Sequence, residues 1–180
     1  SAELFNAIPK GMKVREDLSI PSRMKAVKNK GEIESIGRVM IKDGVAMIRF
    51  FCWIEHNFDS IPMSELSLSE KLTHFRAEQE NYLGASFSSI VAYKEHGALP
   101  HYSATSETDS VIGSDGILLV DSGGQYLDGT TDITRTIVFG RPTERQKRDF
   151  TLVLKGTLSL VMAKFPAGTK GSQLDILARK

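Results

Sequence analysis

Ile33, Ile36, Met40, Met47, Phe51 and Ile54 recur at the spacing of one helical face, which predicts a helix beginning near Glu32 with that stripe buried. Asp43-Gly44 interrupts the stripe and weakens it locally. Ser64 and Ser67 both suit the N-cap of a second helix, with Leu68, Leu72, Phe75 and Tyr82 on its apolar face. Lys71, Arg76, Glu78 and Glu80 then form its solvated face. From Ser89 the period changes. Ile90-Val91-Ala92-Tyr93 reads as a short strand, and Ile117-Leu118-Leu119-Val120 as a buried strand that bends at Asp121-Ser122-Gly123-Gly124. Asp128-Gly129 is a turn dipeptide, and the β-branched stretch from Thr130 to Phe139 is the returning strand. Pro142-Thr143-Glu144 opens a long helix whose buried face is Phe150, Leu154, Leu158, Val161 and Phe165. Pro166 and Gly168 stop it, and a further helix starts at Gly171-Ser172-Gln173 and runs to the last residue, Lys180. This order predicts an α+β fold, with helices packed on an antiparallel sheet, rather than the regular strand–helix alternation of a doubly wound sheet. Phe50, Phe51 and Trp53 fall inside the first helix and are read as core.

Residues 1–28 lack this periodicity, and Pro9-Lys10-Gly11 and Ile20-Pro21-Ser22 are turn signals. They are expected to be a lead-in or linker from an upstream domain. The opening Ser1-Ala2-Glu3 has no Met, as expected of an excised piece, and because the chain stops inside a helix truncation is expected at the carboxyl end. The 180 residues suffice for one buried core; 41% are hydrophobic and 25% charged, the balance of a globular protein. A net charge of +1 supplies no field for nucleic acid or an anionic membrane. No apolar run approaches the roughly 20 residues that span a bilayer. Cys52 is the single cysteine, which fits a reducing compartment, and a cytoplasmic location is expected.

Asp121 ends a buried strand and Asp132 sits on the strand that returns. A hairpin can bring both carboxylates to one side of a sheet. Two carboxylates held close resist ionising together, and a divalent cation removes that repulsion. An ideal two-residue turn at Asp128-Gly129 sets Asp121 opposite Thr136 rather than Asp132, so a bulge at Gly123, Gly124 or Gly129 is needed to reset the register. The bland alternative makes Asp121 a turn residue and Asp132 a surface residue.

The string around them is more specific. Leu118-Leu119-Val120-Asp121-Ser122-Gly123-Gly124-Gln125-Tyr126-Leu127-Asp128-Gly129-Thr130-Thr131-Asp132-Ile133-Thr134-Arg135-Thr136 resembles the first metal-binding segment of the pita-bread metallopeptidases. That family includes Xaa-Pro aminopeptidases, prolidases, methionine aminopeptidases and creatinases. Lys25 to Ile33, Phe75-Arg76-Ala77-Glu78-Gln79, Tyr82-Leu83-Gly84 and the run Lys147 to Gly156 are similar to further parts of the large, multi-domain Xaa-Pro aminopeptidases. The resemblance covers essentially the whole chain. It implies that residues 29–180 are the first half of a pita-bread (creatinase/aminopeptidase) catalytic domain. Asp121 would chelate one metal and Asp132 would bridge two, with manganese first among the candidates and zinc or cobalt as alternatives. The family's remaining ligands, a His and two Glu, match none of His56, His74 or His96 and fall after Lys180.

The resemblance also singles out His101, in Gly97-Ala98-Leu99-Pro100-His101-Tyr102, as the residue that hydrogen-bonds substrate or its tetrahedral intermediate. Pro100 replaces an aliphatic residue common in the family; it fixes φ and removes an amide donor, which bears on where His101 sits. Thr134 would hydrogen-bond the bridging carboxylate, and Arg135 is read as a salt-bridged structural residue. The implied activity is metal-dependent hydrolysis of the bond between an N-terminal residue and a following proline. The implied partners are a peptide with proline second and a homodimer mate. A prolidase-like dipeptidase and a non-catalytic module that binds partners such as histones are the alternatives. The chain alone is expected to be inactive and to expose apolar surface.

Overall fold

The computed structural model describes residues 2–14 and 17–179. Six helices, α1 (Ala2–Asn6), α2 (Ile20–Ala26), α3 (Lys30–Asn57), α4 (Glu65–Ala77), α5 (Glu144–Val161) and α6 (Gly171–Arg179), are described. Six strands, β1 (Tyr82–Ala85), β2 (Ile90–Tyr93), β3 (Gly116–Ser122), β4 (Gly124–Tyr126), β5 (Gly129–Thr130) and β6 (Ile133–Phe139), accompany them, with a 3-10 helix at Lys94–Ala98. The strands form two antiparallel sheets, in the orders β1-β4-β5 and β2-β3-β6. The α+β expectation therefore holds. The lead-in is not structureless: Ser19 caps α2 through Ser22 N, and Pro21 sits in the first turn, where its missing N–H costs nothing. The continuation of α6 to Lys180 lies outside the described residues.

Capping chemistry sets the helix starts. Asn29 Oδ1 accepts from Glu32 N at 3.0 Å and Glu32 Oε2 accepts from Asn29 N at 2.8 Å, so α3 begins two residues before the expected Glu32. Ser64 and Ser67 are both used, because Ser64 caps α4 and Ser67 bonds back to the Ser64 amide. Thr143 and Gln146 close the same reciprocal pair on α5.

The core lies between α3, α4 and the β2-β3-β6 sheet. It includes Met47, Phe50, Leu68, Leu72, Val91, Leu118 and Val120, with Phe51 and Trp53 packed against it. The buried stripe of α3 is Val39, Asp43, Ala46, Met47, Phe50 and Ile54, rotated from the predicted one; Ile33 is 60% exposed and Met40 also faces outward. Asp43 is part of the buried stripe rather than an interruption of it. It is fully buried, and Arg76, expected on the solvated face of α4, donates to it from Nε at 2.7 Å and Nη2 at 3.0 Å. Tyr126 Oη donates to the same carboxylate at 2.8 Å, which ties α3, α4 and β4 together. Tyr82 belongs to β1 rather than to α4. The expected buried face of α5 is exposed, Phe150 by 62%; among the described α5 residues only Gly156 is buried, where a Cβ would strike the Ala178 carbonyl of α6.

Candidate metal centre

The β3–β6 ladder pairs Gly116 with Phe139 and runs without a slip to Ser122 opposite Ile133. The β4–β5 pair continues the same register, Gln125 opposite Thr130 and Tyr126 opposite Gly129. The two-residue turn is therefore Leu127-Asp128, one position earlier than the sequence suggested. That shift sets Asp121 opposite Thr134, not Thr136, with no bulge between them. Asp132 lies two residues before Thr134. Thr131 and Ile133 on either side of it are buried while Asp132 is exposed, so the pleat turns Asp132 to the side of Thr134 and Asp121. Asp132 itself lies between β5 and β6, one residue before the β3–β6 ladder begins at Ile133, so its side follows from the burial alternation rather than from a paired position.

Gly123 stands where the hairpin passes from one sheet to the other. A Cβ there would collide with the Thr131 carbonyl oxygen and Ser86 Oγ. Ser86 Oγ donates to that carbonyl at 2.9 Å, Gly124 N donates to Thr131 Oγ1 at 2.8 Å, and Thr131 N donates to Gly124 O at 2.9 Å. Thr131, a residue without a sequence signal beyond its place in the motif, thus clamps the segment between β5 and β6 that carries Asp132. Thr134 Oγ1 donates to Asp121 Oδ1 at 2.7 Å. It orients Asp121, the chelating carboxylate of the resemblance, rather than the bridging Asp132. Arg135 donates from Nη1 to the Thr134 carbonyl at 2.8 Å and forms no salt bridge among the described residues, so it braces the backbone there rather than forming the expected ion pair.

His101 enters the same region from the loop after β2. It lines a cavity of about 210 Å³ together with Ile90, Leu99, Pro100, Asp121 and Thr134; Asp132 is not in that lining. Tyr102 N donates to Leu99 O at 3.3 Å, and His101 has φ 58°. Proline at the second position and positive φ at the third are the pattern of a type II turn, in which a proline is favoured. Pro100 therefore builds the turn that presents His101.

The donor set of Asp121 and Asp132 is all oxygen, which suits a hard divalent cation. Among the described residues, no group of three or more His, Cys, Asp or Glu side chains could hold a metal ion. Asp121 and Asp132 are thus fit to be part of a metal-ligand set and too few to complete one.

Asp121, Thr134 and His101 thus line one cavity, with Asp132 near by on the hairpin. Residues 34–180 match metallopeptidase family M24, and the chain belongs to that family. It is 45% identical over 174 residues to the Xaa-Pro aminopeptidase ApepP of Drosophila melanogaster and 41% identical over 179 residues to a probable Xaa-Pro aminopeptidase P of Botryotinia fuckeliana. Those alignments take in 96% and 98% of this chain but 28% and 27% of the relatives, so it spans about a quarter of their length. Its fold superposes on the X-prolyl aminopeptidase of Caenorhabditis elegans, described as a cytosolic enzyme with a di-nuclear active site, with a TM-score of 0.82 at 37% identity, covering 89% of this chain and 26% of that one. The prolidase of Pyrococcus furiosus gives 0.72 at 27% identity, over 89% of this chain and 44% of that one. The fold is the pita-bread fold of that family.

Proposed function

We propose that this chain supplies one half of the active site of a metal-dependent aminopeptidase that cleaves the bond between an N-terminal residue and a following proline. The observation that carries the reading is the pairing of Asp121 with Thr134 in the His101 cavity, with Asp132 two residues before Thr134, in a chain 41–45% identical to proteins named Xaa-Pro aminopeptidase. Asp121 and Asp132 would hold the cations as carboxylate ligands. Thr134 fixes the Asp121 rotamer, as partners of metal ligands do. Two divalent cations, manganese by preference, would supply a hydroxide near neutral pH and Lewis acidity at the scissile carbonyl. His101 donates a hydrogen bond to the substrate carbonyl oxygen as charge develops there. Retention of both aspartates speaks against a non-catalytic binding module. The greater identity to aminopeptidases than to the Pyrococcus prolidase speaks against a dipeptidase. A cytoplasmic location follows the relative described as cytosolic.

The test is an assay of the intact protein with a tripeptide bearing proline second, a control tripeptide without proline, and an Xaa-Pro dipeptide. Mn²⁺, Co²⁺ or Zn²⁺ is added after chelation. Metal-restored cleavage of the proline tripeptide is expected, lost in Asp121→Asn and Asp132→Asn. Cleavage of the dipeptide alone would make it a prolidase, and no metal-dependent hydrolysis would overturn the reading.

A further inference from the structure

Glu65 opens α4 and is 0% exposed, yet the proposed chemistry does not use it. Its carboxylate gathers the segment that carries His101 from both ends. Oε1 accepts from Tyr93 N at 2.7 Å, upstream of the loop, and Oε2 accepts from Ser110 N at 3.1 Å, downstream of it. Between these, His96 Nδ1 lies 2.9 Å from Oε1, and Tyr102 Oη donates to Oε2 at 2.8 Å. The His96 and Tyr102 rings stack with centroids 4.5 Å apart. Burial holds the Tyr102 phenol above its ordinary pKa, with its bond to Thr108 opposing the shift and its bond to Glu65 adding to it.

His101 sits inside this clasp. Leu99 N donates to His96 O at 3.1 Å, so the Leu99–Tyr102 turn is anchored at its first residue through His96 and at its last through the Tyr102 hydroxyl. His101 itself occupies left-handed backbone, which a residue with a Cβ adopts only when its surroundings over-determine it. The anchors at both ends of the turn converge on the single carboxylate of Glu65.

We propose that Glu65 is a positioning residue for His101: its buried carboxylate, through His96 and Tyr102, holds the strained Leu99–Tyr102 turn so that the imidazole faces the cavity beside Asp121. This rests on the aminopeptidase reading only for its kinetic consequence; the geometric claim stands by itself. Loss of Glu65 should therefore displace His101 specifically, and its cost in turnover should vanish once His101 is gone.

The experiment uses the intact protein with histidine ring carbons labelled, as wild type, Glu65→Gln, Tyr102→Phe and His101→Ala, with His101→Ala assigning the His101 resonance. In Glu65→Gln and Tyr102→Phe the His101 signal is expected to shift or broaden while His56 and His74 stay in place. A His101 signal unmoved in both variants, or equal movement of His56 and His74, would overturn the proposal. The kinetic arm is a double-mutant cycle. Glu65→Gln should lower kcat by about tenfold or more with little change in KM, as a misplaced catalytic group does, and by less than about twofold in the His101→Ala background. Full additivity of the two substitutions would overturn the proposal. Tyr102→Phe removes a single hydroxyl and keeps the test open if Glu65→Gln does not fold. Absence of metal-dependent turnover in wild type would count against the aminopeptidase reading and leave the resonance result to decide the role of Glu65.

Discussion

Asp43 and Arg76 are the most consequential pair outside the site, since both are removed from water and each is the other's main counter-charge. Arg76→Ala leaves a buried carboxylate with only the Tyr126 hydroxyl and should cost roughly 3–5 kcal/mol in urea unfolding, whereas Asp43→Leu combined with Arg76→Met should cost less than the single change. The burial that makes this pair matter also pushes the Tyr126 phenol upward, with its bond to Asp43 adding to the shift, so Tyr126 stays a donor throughout the working range. Asp128, at the hairpin tip, behaves differently. Lys42 Nζ donates to it at 3.0 Å and holds its carboxyl below the ordinary value. A folded pKa below the unfolded one, about 4, contributes stability that is present above that pH and is lost as pH falls through the folded value. Asp128→Asn should therefore lower the thermal midpoint at pH 7, and the gap to wild type should close as the pH falls below about 4. A gap independent of pH would show that the Lys42 contact contributes no charge-dependent stability.

Among the elements, the β3-to-β6 hairpin decides the site. Its continuous register depends on a turn at Leu127-Asp128 and on the absence of a side chain at Gly123. Gly123→Ala forces a Cβ onto the Thr131 carbonyl and should destabilise the protein by about 3 kcal/mol. Amide hydrogen exchange should quicken at Gly124 and Thr131, whose mutual bonds clamp the base of Asp132, before it does so in α3. Unchanged protection at those two amides would show that the hairpin tolerates the methyl group. The spacing of Asp121 and Asp132 was legible in the sequence, as was the glycine-rich passage between them. The register was not, because Asp128-Gly129 as a dipeptide signals a turn without fixing which residue pair is central. Thr134 as the partner of Asp121 follows from that register alone.

For the whole molecule, the exposed row of Phe150, Leu154, Leu158 and Val161 on α5 is a contiguous apolar stripe larger than scattered surface residues produce. The purified 180-residue chain is expected to self-associate, with a weight-average mass in sedimentation that rises with concentration above the 19.9 kDa of one chain. A constant monomer mass across the concentration series would refute this. With two carboxylates and no larger cluster among the described residues, the same chain should bind Mn²⁺ weakly and show no turnover of an Xaa-Pro peptide. Turnover near that of the intact protein would mean that Asp121 and Asp132 suffice.

By itself the sequence determined the α+β class, the helix start at Ser64 to Ser67 and the one near Thr143, the strand that ends at Asp121, and the family resemblance, because periodicity, capping and motif spacing are local properties written along the chain. Tertiary structure alone decided which helix faces are buried, that Asp43 meets Arg76 and Tyr126, and that Glu65 gathers the His101 loop. Those are contacts between residues 28 to 83 positions apart, and Arg76 read as a solvated side chain and Asp43 as an interruption of the stripe until the two met. A buried charge is tolerated only when its partners converge from several elements, and that convergence has no one-dimensional signature.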